Sequence, residues 1–369
     1  MPRPQAPTVF HYYARYLVHP SGVTDSVNNW VAALVANGIS TRIVAAKPAV
    51  IGNEFVDAER TITTGHLGRG RSTWIPLGLL KTLRKGDLLV LHEGWVISNV
   101  VAAAIAKLRR VPYVVVPHGV YERGVIDATK DVAGVRSAAE RWALRNAAAV
   151  HVFYGGETDV VKDLEPGTSS FMVHPNGAPV SDPVWKGDGD FYVWIGRFDP
   201  HHKGLDNLVR SWSRLPEPRP RLVLAGPDFL GGRDQIAEQI AALGLDETIS
   251  IRGRVSGDEK ADLMRGARAY VHPSRWESCS IMLLEMLGAG VPSVVSSSIH
   301  AADELGPSGV VLVADFASDN GGLAEALEQA DRNTALGNRA RAWVDDEGSW
   351  AAVGPDYASD VHKIQRSYA

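Results

Sequence analysis

Short apolar runs alternate with helix-period segments along the whole chain. The runs at residues 8–13 (TVFHYY), 39–46, 88–91, 113–116, 149–153 and 171–174 are near-continuously apolar instead of alternating, which predicts parallel strands covered on both faces. Helices are predicted between them over 24–37, with Asp25 near the start and Gly38 as the stop, then over 74–84, 96–108, 135–145 and 157–164. The pattern then repeats, with strands expected at 191–195, 221–225, 249–252, 269–272, 293–295 and 310–313. A stretch rich in Pro, Gly and Asp at 177–189 separates the two series and reads as a linker. The expected fold class is α/β, two doubly wound Rossmann-like domains at 1–177 and 178–350. Residues 351–369 are expected to form a helix that crosses back to the first domain.

Composition narrows the setting. A chain of 369 residues is ample for two cores, and 45% hydrophobic with 22% charged residues is the balance of a soluble globular protein. The single cysteine, Cys279, excludes an intrachain disulfide and a cysteine metal cluster, and points to a reducing compartment. The first residues lack an apolar leader, and no apolar run approaches the roughly 18 residues of a membrane span, so a cytoplasmic location is expected. Charge is uneven: 19 basic against 14 acidic residues up to Val180, and 19 against 28 beyond it. A positive first half fits an anionic partner or surface, or ordinary surface variation. The basic, partly apolar segment 69–85 is a candidate for peripheral contact with an anionic membrane at its inner face, or for a helix packed on its own sheet.

Ligands of such sheets bind beyond the carboxyl ends of the strands. In the second half the first strand runs into IGRFDPHHKG, placing Gly196 at a turn, Arg197 at the sheet edge, and Lys203 before a helix. These residues suit a diphosphate; alternatively Arg197 and Lys203 pair with Asp199 and Asp206. Gly226, Gly253 and Arg254 lie at the neighbouring strand ends, where a flat ligand approaches the backbone. The stretch 274–292 carries Glu277 and Glu285, which would stand roughly 12 Å apart were the interval fully helical. Ser278, Cys279 and Ser280 lie between them. Carboxylates at that separation suit the hydroxyls of a sugar nucleotide, or a helix cap and a salt bridge. In the first half His118 follows a buried strand, His92, Glu93 and Trp95 occupy an equivalent position, and Asn176 ends the last strand. His92, Glu93 and Trp95 are acceptor-side candidates, with Trp95 placed to stack on a sugar ring. Cys279 reads as a packing residue, with a nucleophilic role as the alternative.

Taken together, these residues resemble the retaining GT-B glycosyltransferases of family 4, over nearly the whole chain. HPSRWESCSIMLLEMLGAGVPSVVS resembles the Glu-x7-Glu signature, IGRFDPHHKG the Gly-Arg…Lys-Gly element, VPHG the histidine loop, and HPNG the motif before the linker. The resemblance implies two domains facing across a cleft and transfer of a sugar from a nucleoside-diphosphate sugar to a hydroxyl acceptor, as in cell-surface polysaccharide or glycoconjugate synthesis. Neither a metal nor a cofactor is implied, and no nucleic acid partner. Arg197 and Lys203 would neutralise the diphosphate, Glu285 would bind the ribose and Glu277 the sugar. The backbone of Ser278, Cys279, Ser280 and Ile281 would line the phosphates. His118 would lie by the reacting face of the sugar, and Gly22 would let donor and acceptor approach. Asn176, Gly196, Gly226, Gly253 and Arg254 complete the expected donor site. Two departures stand out: Ser-Cys-Ser replaces a Gly-Phe-Gly-like run after Glu277, and Ser21-Gly22 replaces a frequent double glycine. A phosphorylase, a sugar-nucleotide hydrolase and a catalytically silent binding protein are alternatives on the same fold.

Overall fold

The computed structural model describes residues 6–48, 51–67, 74–128, 134–179, 184–318 and 322–368. Its contacts divide the chain into one unit of Met1–Gly177 with Trp350–Ala369 and a second of Ala178–Ser349. In the first unit, β1 (Val9–Tyr12), β2 (Thr41–Ala46), β3 (Thr61–Thr64), β4 (Leu88–His92), β5 (Tyr113–Val116), β6 (Ala149–Val152) and β7 (Phe171–Val173) form one sheet. Its order is β3-β2-β1-β4-β5-β6-β7, and every neighbouring pair is parallel. The apolar runs become strands buried on both faces because helices cover each side. Phe10, Tyr12, Leu89 and Leu91 pack into one core, while Ile43 and Ala45 join Val27 and Val31 in the other.

The helix Gly22–Ala36 starts two residues before the predicted bound, because the Ser21 hydroxyl accepts from the Thr24 amide as an N-cap. The helix Trp350–Ser367 packs on it: the Trp350 and Tyr357 rings lie 4.9 and 4.2 Å from the Trp30 ring. Strand β3 carries no apolar run that would predict it, since TITT is polar and sits at the sheet edge, half exposed. The basic helix expected over 74–84 is only Leu79–Thr82. Pro76 and Gly78 break it, and a Cβ at Gly78 would lie 1.9 Å from the Thr64 hydroxyl, so this segment is pinned beneath β3. Residues 69–73 of the basic segment lie outside the described residues.

The second unit repeats the plan with β8 (Tyr192–Ile195), β9 (Leu222–Ala225), β10 (Ile249–Arg252), β11 (Tyr270–His272), β12 (Ser293–Ser296) and β13 (Leu312–Ala314). These parallel strands are ordered β10-β9-β8-β11-β12-β13. In both sheets the order reverses beside the first strand of the unit. That reversal opens a crevice at the carboxyl ends, between β1 and β4 in one unit and between β8 and β11 in the other. Candidate chemistry collects at both places.

Candidate functional site

In the second unit the loop after β8 and the loop after β11 are bolted together. Arg275 makes a bidentate pair with Asp206 at 2.6 and 2.7 Å and donates to the His201 carbonyl at 2.7 Å. The His202 ring stacks on Trp276 at 4.9 Å and hydrogen-bonds the Trp276 carbonyl at 3.1 Å. Glycines make two close approaches possible here, of the β8 loop to the β11 loop and of the β9 end to the β8 end. A Cβ on Gly204 would sit 1.9 Å from the Pro273 carbonyl oxygen, and one on Gly226 would sit 1.7 Å from that of Gly196.

This frame aims Lys203 at Glu277, whose Oε1 accepts from the lysine ammonium and, at 3.0 Å, from the Ser274 hydroxyl. His272 Nε2 and His202 Nε2 stand 3.7 and 4.0 Å from the same carboxylate. Burial alone raises the Glu277 pKa, but Lys203 and the two imidazoles overcome it and hold the acid at about 2. Burial holds His202 and His272 at about 4, so near neutral pH the full positive charge facing Glu277 is that of Lys203. The Tyr270 hydroxyl lies 2.8 Å from His272 Nδ1 and stays protonated because burial raises its pKa far above the usual range. A neutral His272 accepting from it carries its proton on Nε2, which lies 3.7 Å from Glu277 Oε1 without a hydrogen bond to it.

A sign follows for stability. His202 and His272 ionise near pH 6.5 in the unfolded chain and near 4 in the fold, so stability is full above pH 6.5 and falls as pH drops toward 4. His202→Gln is expected to reduce the slope of unfolding free energy against pH in that window by up to about 1.4 kcal/mol per pH unit, read from urea titrations. An unchanged slope would contradict the assignment.

Glu285 makes a salt bridge, the alternative that its sequence position left open beside a ribose ligand. Its helix is Ile281–Ala289, so Glu277, Ser278 and Cys279 lie in irregular chain before the Ser280 N-cap, and the separation based on a continuous helix does not apply. Leu283, Leu284, Met286 and Leu287 are buried, whereas Glu285 is half-buried and its Oε2 accepts from the Lys260 ammonium of the helix Gly257–Gly266. Arg197 lies with its guanidinium 4.1 Å from the Phe229 ring and 3.4 Å from Asp199, its side chain 46% exposed. Asp199 thus pairs with Arg197, but Asp206 pairs with Arg275 and not with Lys203. Gly253 and Arg254 are exposed. Lys260, His202, His272 and Ser274 were not among the sequence candidates. His272 and Ser274 stood inside the quoted HPSRWE motif, whereas nothing in sequence marked Lys260.

In the first unit the crevice between β1 and β4 holds Glu93, 8% exposed, in a left-handed backbone conformation (φ 70°). Its Oε1 accepts from Arg15, and the Tyr13 hydroxyl lies 3.4 Å away. Burial raises the Glu93 pKa, and Arg15 works against that rise. His118, half-buried after β5, is also left-handed (φ 55°). Two acceptor-side expectations change here. Trp95 is no stacking platform: it is 8% exposed in the core, its indole N–H donates to the Val120 carbonyl at 3.0 Å, and Tyr121 packs against its ring. His92, 2% exposed, lies behind His118, with its two ring nitrogens engaged by His11 and His118. Asn176 is buried, its side-chain oxygen accepting from Ser26 at 2.7 Å and Trp30 at 3.0 Å, which ties the end of the first unit's sheet to its first helix. Gly22 is exposed in that helix's first turn.

Comparison with known proteins adds the following. Residues 190–333 match the family described as glycosyl transferases group 1, and residues 21–177 match the glycosyl transferase 4-like domain. Among curated relatives, an O-antigen chain mannosyltransferase B of Escherichia coli is 30% identical over 130 residues, 35% of this chain and 33% of that protein. A D-inositol 3-phosphate glycosyltransferase of Frankia alni is 27% identical over 229 residues, 58% of this chain and 54% of the other. The chain thus matches about a third to a half of the length of these two. Among solved structures, sucrose-phosphate synthase from Thermosynechococcus elongatus superimposes with a TM-score of 0.76 at 19% identity, over 98% of this chain and 100% of that one. At that identity the likeness speaks to the fold.

Proposed function

Because the chain belongs to the group 1 glycosyltransferases, a GT-B protein of the family 4 type, we propose that it moves a sugar from a nucleoside-diphosphate sugar to a hydroxyl acceptor, with retention and without a divalent metal. The observation that carries this reading is the Lys203–Glu277 pair, fixed at the crevice of the second sheet beside an exposed Arg197. An ammonium has three N–H donors, so Lys203 can hold Glu277 with one and a phosphate oxygen with another. Cleaving the sugar–phosphate bond adds negative charge to the leaving diphosphate. Arg197 and Lys203 stabilise that charge from fixed positions, which is the part a metal plays elsewhere.

The carboxylates act as ligands in this scheme. Glu277 keeps Oε2 for a sugar hydroxyl while Lys203 and Ser274 occupy Oε1. Glu285 keeps Oε1 for the ribose while Lys260 occupies Oε2. The leaving phosphate oxygen takes the acceptor's proton on the face from which it departs, which gives retention. The acceptor is a glycan, a lipid-linked sugar or a small polyol, with Glu93 as its ligand in the first unit. The reaction belongs on the cytoplasmic side, with peripheral contact at an anionic membrane. Among the described residues no helix is long and apolar enough to cross a membrane.

A thermal-shift screen with UDP-, GDP-, ADP- and TDP-sugars reads donor binding, since a ligand of the folded state raises the melting temperature. The expected result is a shift with one base class, followed by transfer to a hydroxyl acceptor that persists in excess EDTA. Donor consumption by phosphate or water alone indicates the phosphorylase or hydrolase. A shift without turnover on any acceptor indicates a silent binding protein. No shift with any donor overturns the proposal.

A further inference from the structure

Three imidazoles of the first unit form a hydrogen-bonded file across neighbouring strands. His11 lies in β1, His92 ends β4 and His118 follows β5. His11 Nδ1 is 2.9 Å from His92 Nε2, and His92 Nδ1 is 2.9 Å from His118 Nε2. Successive rings are 5.2 Å apart. Burial keeps all three rings neutral near pH 7. A neutral imidazole has one N–H and one lone pair. Each contact needs a single proton, so only two arrangements satisfy both: every N–H points toward His118, or every N–H points toward His11.

The inner end of the file decides between them. The inner end, His11 Nε2, is buried and has no hydrogen-bond partner. His151 offers no hydrogen bond to it: its Nε2 lies 2.8 Å from the His174 carbonyl, to which it donates, and its Nδ1 has no partner either. With the protons pointing inward, an N–H is stranded at His11; with the protons pointing outward, only a lone pair is. A buried N–H without an acceptor is the rarer defect. We propose that His11 and His92 lock the tautomer of His118, so that its outer nitrogen, Nδ1, always carries the proton.

His118 is therefore a hydrogen-bond donor and not a base. Resting on the glycosyltransfer reading, it gives an N–H to a substrate oxygen, and the acceptor's proton goes to the leaving phosphate oxygen. His11 and His92 are positioning residues that touch no substrate.

The test labels the histidines of the full chain with 15N and records long-range 1H–15N correlations near neutral pH, with His118 assigned by its loss in His118→Gln. The expected spectrum shows His118 protonated at Nδ1 and bare at Nε2. A wild-type His118 protonated at Nε2 overturns the proposal, whatever the variants do. His92→Leu removes the donor to His118 Nε2 and is expected to abolish the single pattern, whereas His11→Leu, which makes His92 Nε2 the buried end without a partner, is expected to keep it. In an activity assay His92→Leu is expected to lower kcat/KM about tenfold, the worth of one hydrogen bond, and His92→Gln, with an amide N–H still able to reach His118, to recover most of it. The spectra need no substrate, so the lock and the transferase reading fail separately.

Discussion

Replacing Lys203 with alanine is expected to lower donor turnover by about 10²- to 10³-fold, the usual cost of losing one fixed donor to a developing negative charge. The same substitution is expected to destabilise the second unit by about 3 kcal/mol. Both losses come from one atom. Lys203 Nζ is the cation on Glu277, whose side chain is only 11% exposed. Without it a carboxylate is left buried beside two neutral imidazoles, and breaking one side of a buried pair costs more than the pair contributes. The double variant Lys203→Ala/Glu277→Gln separates the effects, because the neutral amide removes the stranded charge. It should recover most of the stability, read by urea unfolding, and none of the turnover, read by donor consumption. If Lys203→Ala retains wild-type turnover, the diphosphate is held elsewhere and the proposed chemistry fails.

Much of the fold was legible in sequence because the strands are covered on both faces, so each appears as an uninterrupted apolar run between turn signals. β3 lacked that signature, since an edge strand needs only one packed face. The helical hydrophobic period of 74–84 overstates the short helix Leu79–Thr82, because Pro76 and Gly78 interrupt it. The second unit's site was legible wherever its residues were neighbours in sequence: Gly196 to Gly204, and Ser274 to Glu285. It was not legible where tertiary packing chose the partner. Lys260 looks like any exposed lysine of a charged helix, and only the packing of two helices brings it to Glu285. The histidine file joins residues 81 and 26 positions apart, and no local pattern announces it. Trp95 was misread for a backbone reason. Its φ of 58° helps turn the chain so that the indole goes inward, a conformation that a bulky residue seldom adopts and that sequence does not signal.

The second large effect concerns a glycine that donates no functional group. Gly204 and Gly231 both cap the start of a helix in the left-handed region, with φ of 64° and 79°. An alanine at either position pays the same local conformational strain, about 1 kcal/mol. Their surroundings differ. Nothing lies within 4 Å of a Cβ on Gly231, whereas a Cβ on Gly204 would meet the Pro273 carbonyl oxygen at 1.9 Å and its carbon at 2.9 Å. Both are backbone atoms, so no side chain can swing away, and the loop that carries Ser274 and Glu277 must shift. Gly231→Ala is therefore expected to lose about 1 kcal/mol with donor turnover intact. Gly204→Ala is expected to lose several times as much and to reduce turnover at least about tenfold even where the fold survives, because a misplacement of about 1 Å at a binding loop is enough for that. Urea midpoints and donor turnover measured on the pair decide it. Equal effects at the two glycines would mean that the loops after β8 and β11 do not press together here, and that Lys203 and Glu277 are brought into line by something other than the missing side chain at Gly204.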